Sequence, residues 1–213
     1  MDLFRNIFDF VLETLMPAHP LVRRVEKLGV QAFRPWPVVG EYQGFFYLAS
    51  YKHPAAQAAI LDIKSYGNRR MAAIVGRMLG EALADGSVAK PPPLPLVLPI
   101  PITSRKRRER GWNQCELILE GLARTDSGVR FEARKDILVK TRENVDSVGL
   151  SKAQRRENLR NCFAVRPQAA AEVAGRSVIV IDDVLTTGAT FAEARRALLA
   201  AGARKVLCVA IAH

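Results

Sequence analysis

The run Val178-Ile179-Val180-Ile181-Asp182-Asp183-Val184-Leu185-Thr186-Thr187-Gly188-Ala189-Thr190 constrains this chain more than any other segment. Four consecutive β-branched apolar residues require burial on both sides, as in an interior strand of a parallel sheet. Two carboxylates close that strand. A loop of small residues then leads into a helical stripe at Phe191, Ala194, Leu198 and Leu199, which Gly202 can terminate. In open α/β sheets, ligands bind at this carboxyl edge. Backbone N–H groups and hydroxyls at a helix N-terminus converge on negative charge, and Gly188 permits close approach of the backbone. The carboxylates would repel a phosphate but accept hydrogen bonds from vicinal hydroxyls beside it. A sugar 5-phosphate satisfies both halves of the run. Asp183 or Thr190 taken singly is an ordinary cap or turn residue. Capping does not account for two adjacent acids followed by Thr-Thr-Gly-Ala-Thr. The chain has neither G-x-x-x-x-G-K-[ST] nor G-x-G-x-x-G, which excludes a P-loop nucleotidase and the dinucleotide fingerprint.

The rest of the chain supplies partners for such a strand. At 213 residues it fits one α/β domain with a short N-terminal addition, or at most two small domains. Residues 1–36 read as a helical appendage, with a stripe at Leu3, Ile7, Phe10, Val11 and Leu15, and 37–213 as the main domain. Aromatic and β-branched residues from Pro37 to Ser50 suggest short strands or a hairpin. His53 to Leu79 is helical in period, broken by a turn at Ser65-Tyr66-Gly67-Asn68. Leu96 to Ile100, Ile137 to Val139, Ser177 to Ile181 and Val206 to Ile211 read as strands. A helix is expected over Asn113 to Ala123 and a short one after Ser151. This alternation predicts a mostly parallel sheet covered on both faces.

Between the strand at Leu96 and the helix at Asn113 lies Pro99-Ile100-Pro101, then a basic loop. Arg105, Lys106, Arg107, Arg108 and Arg110 put five cations in six residues, ahead of Gly111-Trp112-Asn113-Gln114. Such a run is commonly a solvated surface. Its place at the same sheet edge as the two acids also suits a diphosphate, which needs several cations. Thr141 to Asn161, with Arg142, Arg155 and Arg156, is a long polar segment between strands, the usual setting of a mobile active-site loop and equally of a plain surface loop. Trp112 is either a packing residue under the basic run or a stacking platform.

The net charge of +11 favours polyanionic partners without choosing among phosphorylated small molecules, nucleic acid and anionic membrane. No apolar run approaches the ~20 residues needed to span a bilayer. Cys115, Cys162 and Cys208 are scattered, with neither disulfide nor metal-ligand spacing, so they read as reduced core thiols of a cytoplasmic protein. His19, His53 and His213 are equally scattered, and no metal ligand is assigned.

Taken in order, Pro-x-Pro, the basic run, Arg-Gly-Trp-Asn-Gln, Gly-Leu-Ser, Arg-Arg-x-Asn and Asp-Asp-Val-x-Thr-Thr-Gly-Ala-Thr resemble the ComF competence-protein family, over about residues 40–213. That family includes amidophosphoribosyltransferase-like proteins of the type I phosphoribosyltransferase superfamily. The resemblance implies a type I phosphoribosyltransferase fold, a mostly parallel sheet flanked by helices, with a short helical N-terminal appendage. It implies Mg²⁺-dependent transfer of a phosphoribosyl group from 5-phosphoribosyl 1-pyrophosphate (PRPP) to a nitrogen acceptor. By position, Asp182 and Asp183 take the catalytic, ribose-contacting role. Leu185, Thr186, Thr187, Gly188, Ala189 and Thr190 hold the 5-phosphate. Arg105, Arg108, Arg110, Gly111, Asn113 and Gln114 form the pyrophosphate loop, and Arg142, Arg155 and Arg156 belong to the flexible loop. Lys64 and Tyr66 match a Lys-Tyr element of the family. The resemblance equally implies a competence factor for DNA uptake that binds PRPP or single-stranded DNA without turnover, with competence-machinery proteins as partners. A PRPP-sensing regulator is a third reading. Many members begin with a cysteine-rich zinc module; this chain has no cysteine before Cys115, so no such site is expected here.

Overall fold

The computed structural model describes residues 20–33, 39–88, 92–142 and 152–213. The stripe at Leu3 to Leu15, the segment Val148-Gly149-Leu150 and the Ser151 cap lie outside the described residues.

A six-stranded sheet forms the frame. Its strands are β1 (Gly40–Tyr42), β2 (Phe45–Ala49), β3 (Leu96–Pro99), β4 (Glu132–Ala133), β7 (Ser177–Val184) and β8 (Lys205–Ala212), in the order β1-β2-β8-β7-β3-β4. Only the β1–β2 hairpin is antiparallel; the other four pairings are parallel. β5 (Leu138–Lys140) and β6 (Phe163–Val165) form a separate antiparallel pair. The expected mostly parallel sheet is therefore present, with β7 at its centre between β8 and β3. β7 runs on through both acids to Val184 rather than stopping at Ile181. The two-residue strand β4 and strand β6 carry too little apolar pattern to be read from sequence.

Alternate residues of each central strand feed opposite cores, because successive side chains point to opposite faces. Val97, Ile179, Ile181, Leu207, Val209 and Ile211 pack under α1 (Pro20–Leu28), α2 (Pro54–Tyr66), α3 (Arg69–Ala84) and α5 (Gln114–Ala123). Leu96, Leu98, Val178, Val180, Val206 and Cys208 pack on the other face with α8 (Ala189–Ala200) and the β5–β6 pair. The period-2 pattern is invisible in the sequence because both faces are apolar.

α3 and α5 approach until their backbones touch. A Cβ at Gly76 would lie 2.3 Å from Leu122 N, and one at Gly121 would lie 2.5 Å from Ala72 O. Only glycine at both positions allows this crossing, which sets where α5 begins relative to the sheet edge. At the other end of α3, Asn68 caps the helix by accepting from Met71 N at 3.0 Å. Its amide donates to Asp62 at 2.6 Å and to Glu26 at 2.9 Å, fastening α1 to the α2–α3 turn. Burial pushes the Asp62 carboxyl above its ordinary range and Glu26 adds to this, with the Asn68 hydrogen bond opposing. Val22 and Val25 of α1 are buried in the same core.

The basic run is not a loop. Ser104–Arg110 forms helix α4. Thr103 caps it by accepting from Lys106 N at 3.2 Å, and Gly111 in the left-handed region closes it through its N–H to Arg107 O. Arg, Lys and Glu are good helix formers. Cations in the last turn also favour the helix dipole. Two caps thus convert a charge run into one turned element.

Candidate functional site at the carboxyl edge of the central strand

Asp182 and Asp183 stand near the C-terminal end of β7, beside the N-terminus of α5. Asp182 is 8% exposed. Its Oδ1 accepts from Asp183 N at 2.9 Å and lies 3.4 Å from the Cys115 thiol, which donates to it. Asp183 is half-buried; its Oδ1 accepts from Val184 N at 2.9 Å and its Oδ2 from Gln114 Nε2 at 3.1 Å. Loss of water, and then the neighbouring Asp183 charge, hold the Asp182 carboxyl well above its ordinary range. The Cys115 thiol is likewise pushed up by burial first and by both acids second.

The first residues of α5 act as a shelf under the acids. Asn113 is buried and caps α5, accepting from Cys115 N at 3.0 Å while donating to Ile100 O at 2.9 Å. This ties the helix start to the end of β3. Gln114 reaches Asp183 on one side and accepts from Arg110 Nη1 at 2.7 Å on the other. A hydrogen-bonded chain Arg110–Gln114–Asp183 therefore links α4 to the acids. The sequence reading placed Asn113 and Gln114 on a ligand; in the structure their amides bond the protein itself.

After β7 the loop turns sharply. Leu185 N donates to Ala212 O at 2.8 Å and its side chain is buried. Gly188 has φ 75°, and a Cβ there would meet the Phe45 ring at 2.8 Å, so the hairpin β1–β2 backs the loop. α8 begins at Ala189, with Thr187 Oγ1 accepting from Ala189 N at 3.5 Å. Leu185, Gly188 and Ala189 are buried, whereas Thr186, Thr187 and Thr190 retain exposure. The hydroxyl-bearing residues of the turn thus keep solvent access between the half-buried Asp183 and the first turn of α8.

The remaining predicted residues are spread more widely. Arg105 pairs with Glu109 at 2.9 Å, Arg107 with Glu116, and Arg108 is exposed. Arg142 donates to Arg160 O at 2.8 Å, at the mouth of the β5–β6 pair. Arg155 and Arg156 lie in α6 (Lys152–Leu159), and their side chains lie outside the described part of the structure. Trp112 is a packing residue: its Nε1 donates to Ile63 O at 3.0 Å and its ring covers Gly67. Tyr66 is exposed.

Sequence reading missed Cys115. Its Sγ and a carboxylate oxygen from each of Asp182 and Asp183 lie within 4.8 Å of one another. No sequence spacing signals this, because the residues are brought together only by packing α5 over β7. The two carboxylates are the oxygen donors that Mg²⁺ favours; the buried thiol is not such a ligand. Among the described residues, no helix is long and apolar enough to cross a membrane.

Known proteins resemble parts of this chain. Residues 125–213 match the phosphoribosyl transferase domain family model, a segment that contains both acids and the loop but not α4 or Gln114. The chain is 33% identical over 102 residues to the DNA utilization protein YhgH of Escherichia coli (strain K12), covering 48% of this chain and 42% of that protein. It is 31% identical over 97 residues to Competence protein F of Haemophilus influenzae, covering 46% and 41%. The chain thus spans less than half the length of these curated relatives. Among solved structures, the allosteric regulatory enzyme of purine biosynthesis aligns over 71% of this chain and 30% of its own, at 20% identity and a TM-score of 0.41. Residues 125–213 are thus similar to a phosphoribosyl transferase domain, in a chain that is similar over about half its length to DNA utilization protein YhgH and Competence protein F.

Proposed function

We propose that this protein binds PRPP at the β7–α8 turn and transfers its phosphoribosyl group to a nitrogen acceptor. The observation that carries the reading is that Asp183, half-buried near the end of β7, is followed directly by a turn in which Thr186, Thr187 and Thr190 keep exposure at the start of α8. The acids accept hydrogen bonds from the ribose hydroxyls. The loop hydroxyls and backbone N–H groups take the 5-phosphate, favoured by the helix dipole. Gln114 fixes Asp183 before the ligand arrives, which reduces reorganisation in the transition state. In the transfer the C1–O bond to pyrophosphate breaks with its electron pair, and the acceptor nitrogen's lone pair forms the new C1–N bond. Arg105, Arg108 and Arg110 stand on α4 to offset charge building on the leaving pyrophosphate. Mg²⁺, when bound with PRPP, supplies further neutralisation of the diphosphate.

A calorimetric titration with PRPP, with and without Mg²⁺, tests the reading alongside Asp182→Asn/Asp183→Asn protein of native circular dichroism. Saturable, Mg²⁺-assisted heat that the variant loses is expected. Absence of binding at millimolar PRPP by folded wild-type protein overturns it.

A second reading is a competence factor that binds PRPP or single-stranded DNA without turnover. The names of its relatives and the net charge of +11 favour it. Binding of a single-stranded oligonucleotide should then weaken steeply and log-linearly with salt. Affinity that is flat between 50 and 200 mM salt, a range on the order of that over which such complexes lose most of their strength, counts against it.

A further inference from the structure

Leu185 opens the turn that follows β7, and both of its backbone groups are held by the chain that leaves β8. Its N–H donates to Ala212 O at 2.8 Å, and its carbonyl oxygen lies 2.8 Å from Nδ1 of His213. A carbonyl oxygen only accepts, so that ring nitrogen carries the proton and donates it. His213 stands 28 residues beyond Leu185, outside the Val178–Thr190 run. Its own backbone is fixed: its N–H donates to Ala49 O at 3.0 Å and its oxygen accepts from Tyr51 N at 2.8 Å. Its ring stacks on Tyr42 with centroids 4.5 Å apart and meets Tyr47 at 5.0 Å, tilted by 50°. The β1–β2 hairpin thus grips the imidazole, and the imidazole grips the first residue of the turn. The same hairpin reaches the far end of the turn. The position a Cβ on Gly188 would take lies 2.8 Å from the Phe45 ring and 3.7 Å from Gln43 Oε1.

We propose that His213 is a positioning residue for the β7–α8 turn: by holding Leu185 O it aims the Thr186 N–H at the 5-phosphate of PRPP. The role rests on the PRPP reading above. A peptide unit is planar and, when trans, carries its C=O and N–H on opposite sides. With Leu185 O turned to the imidazole, the Thr186 N–H points away from it. Among the described residues that N–H has no acceptor, so it remains for an anion. Rotation of the same peptide unit would present the carbonyl oxygen instead, and two negative groups would then face each other. The hydrogen bond from His213 opposes that rotation before the ligand arrives, and a donor fixed in advance costs no reorganisation on binding. His213 itself does not touch the phosphate; it acts through the Leu185–Thr186 peptide.

Two full-length variants separate this role from packing. His213→Phe keeps a ring between Tyr42 and Tyr47 but has no N–H to donate. His213→Asn gives up the ring but carries an amide N–H near the place of Nδ1. Calorimetric titration with ribose 5-phosphate, and with PRPP and Mg²⁺, should show His213→Phe weaker by about ten-fold for both, the scale of one lost hydrogen bond. Pyrophosphate, which has no 5-phosphate to place, should bind the variant as it binds wild type. His213→Asn should recover most of the lost affinity for ribose 5-phosphate. A merely structural ring gives the reverse order, with the Phe variant intact and the Asn variant weak, and that result overturns the role. So does a loss of pyrophosphate affinity in step with the others, which marks general damage to the fold. The wild-type protein offers a check that needs no variant: nitrogen-15 spectra of neutral His213 should show Nδ1 protonated, and a proton on Nε2 instead overturns the role. Wild-type protein that binds neither PRPP nor ribose 5-phosphate overturns the PRPP reading and this role together. Wild-type binding that His213→Phe leaves intact overturns the role alone.

Discussion

Replacing Asp182 by Asn is expected to stabilise the protein while abolishing PRPP binding. Asp182 is 8% exposed, borders the Asp183 carboxylate and, among the described residues, has a thiol and one backbone N–H as donors. Burial and the neighbouring charge raise its folded-state pKa. The sign follows from linkage. Below the unfolded value, near 3.8, both states are protonated and Asp182 contributes nothing. As pH rises, the unfolded chain ionises first, so the folded state loses relative stability until pH passes the raised folded value, after which the penalty is constant. Asn keeps the acceptor for Asp183 N and offers an N–H₂ toward Asp183, mimicking the protonated acid. Removing an uncompensated buried charge of this kind should be worth about 1–3 kcal/mol at pH 8. For a chain of this size that is a rise of roughly 2–12 °C in Tm. Differential scanning calorimetry at pH 8 and near pH 4 reads it directly: the Asn variant should melt higher at pH 8, and the gap should shrink toward pH 4. An Asp182→Asn protein that melts lower than wild type at pH 8 refutes the reasoning, because the charge would then be compensated by something the structure does not contain.

Other consequences are as specific. Gly121→Ala forces a methyl to within 2.5 Å of Ala72 O and should cost about 1–3 kcal/mol, seen as a lower urea midpoint at unchanged slope. Asn113→Ala leaves Ile100 O and Cys115 N without their side-chain partner. It should cost about 2–3 kcal/mol and weaken PRPP binding, whereas an exposed Arg108→Ala should leave stability within about 0.5 kcal/mol. All three cysteines are buried and free, and the Cys115 and Cys208 thiols are pushed up by burial, the latter to about 12. Native protein at pH 8 should therefore resist a thiol-labelling reagent that modifies all three after unfolding.

The segment Val178–Thr190 declared its own strand, turn and helix, because its apolar run, paired acids and small loop are all local in sequence. The alternation of elements declared the parallel sheet for the same reason. The basic run was legible as charge but not as shape: whether five cations form a loop or a helix depended on Thr103 and Gly111 closing its two ends, a choice that composition does not encode. What the side chains touch was decided only by packing. Gly76 against Gly121 lets α5 settle close to the sheet, and this brings Cys115 and Gln114 onto acids 67 and 69 residues away. Strand order placed β7 at the centre and Phe45 behind Gly188, although nothing near Gly188 in sequence is aromatic except Phe191. Local chemistry is written in neighbouring residues. The desolvation that raises Asp182, and the shelf that holds Asp183, arise from contacts between residues far apart in the chain, and those exist only once the two cores have closed on the sheet.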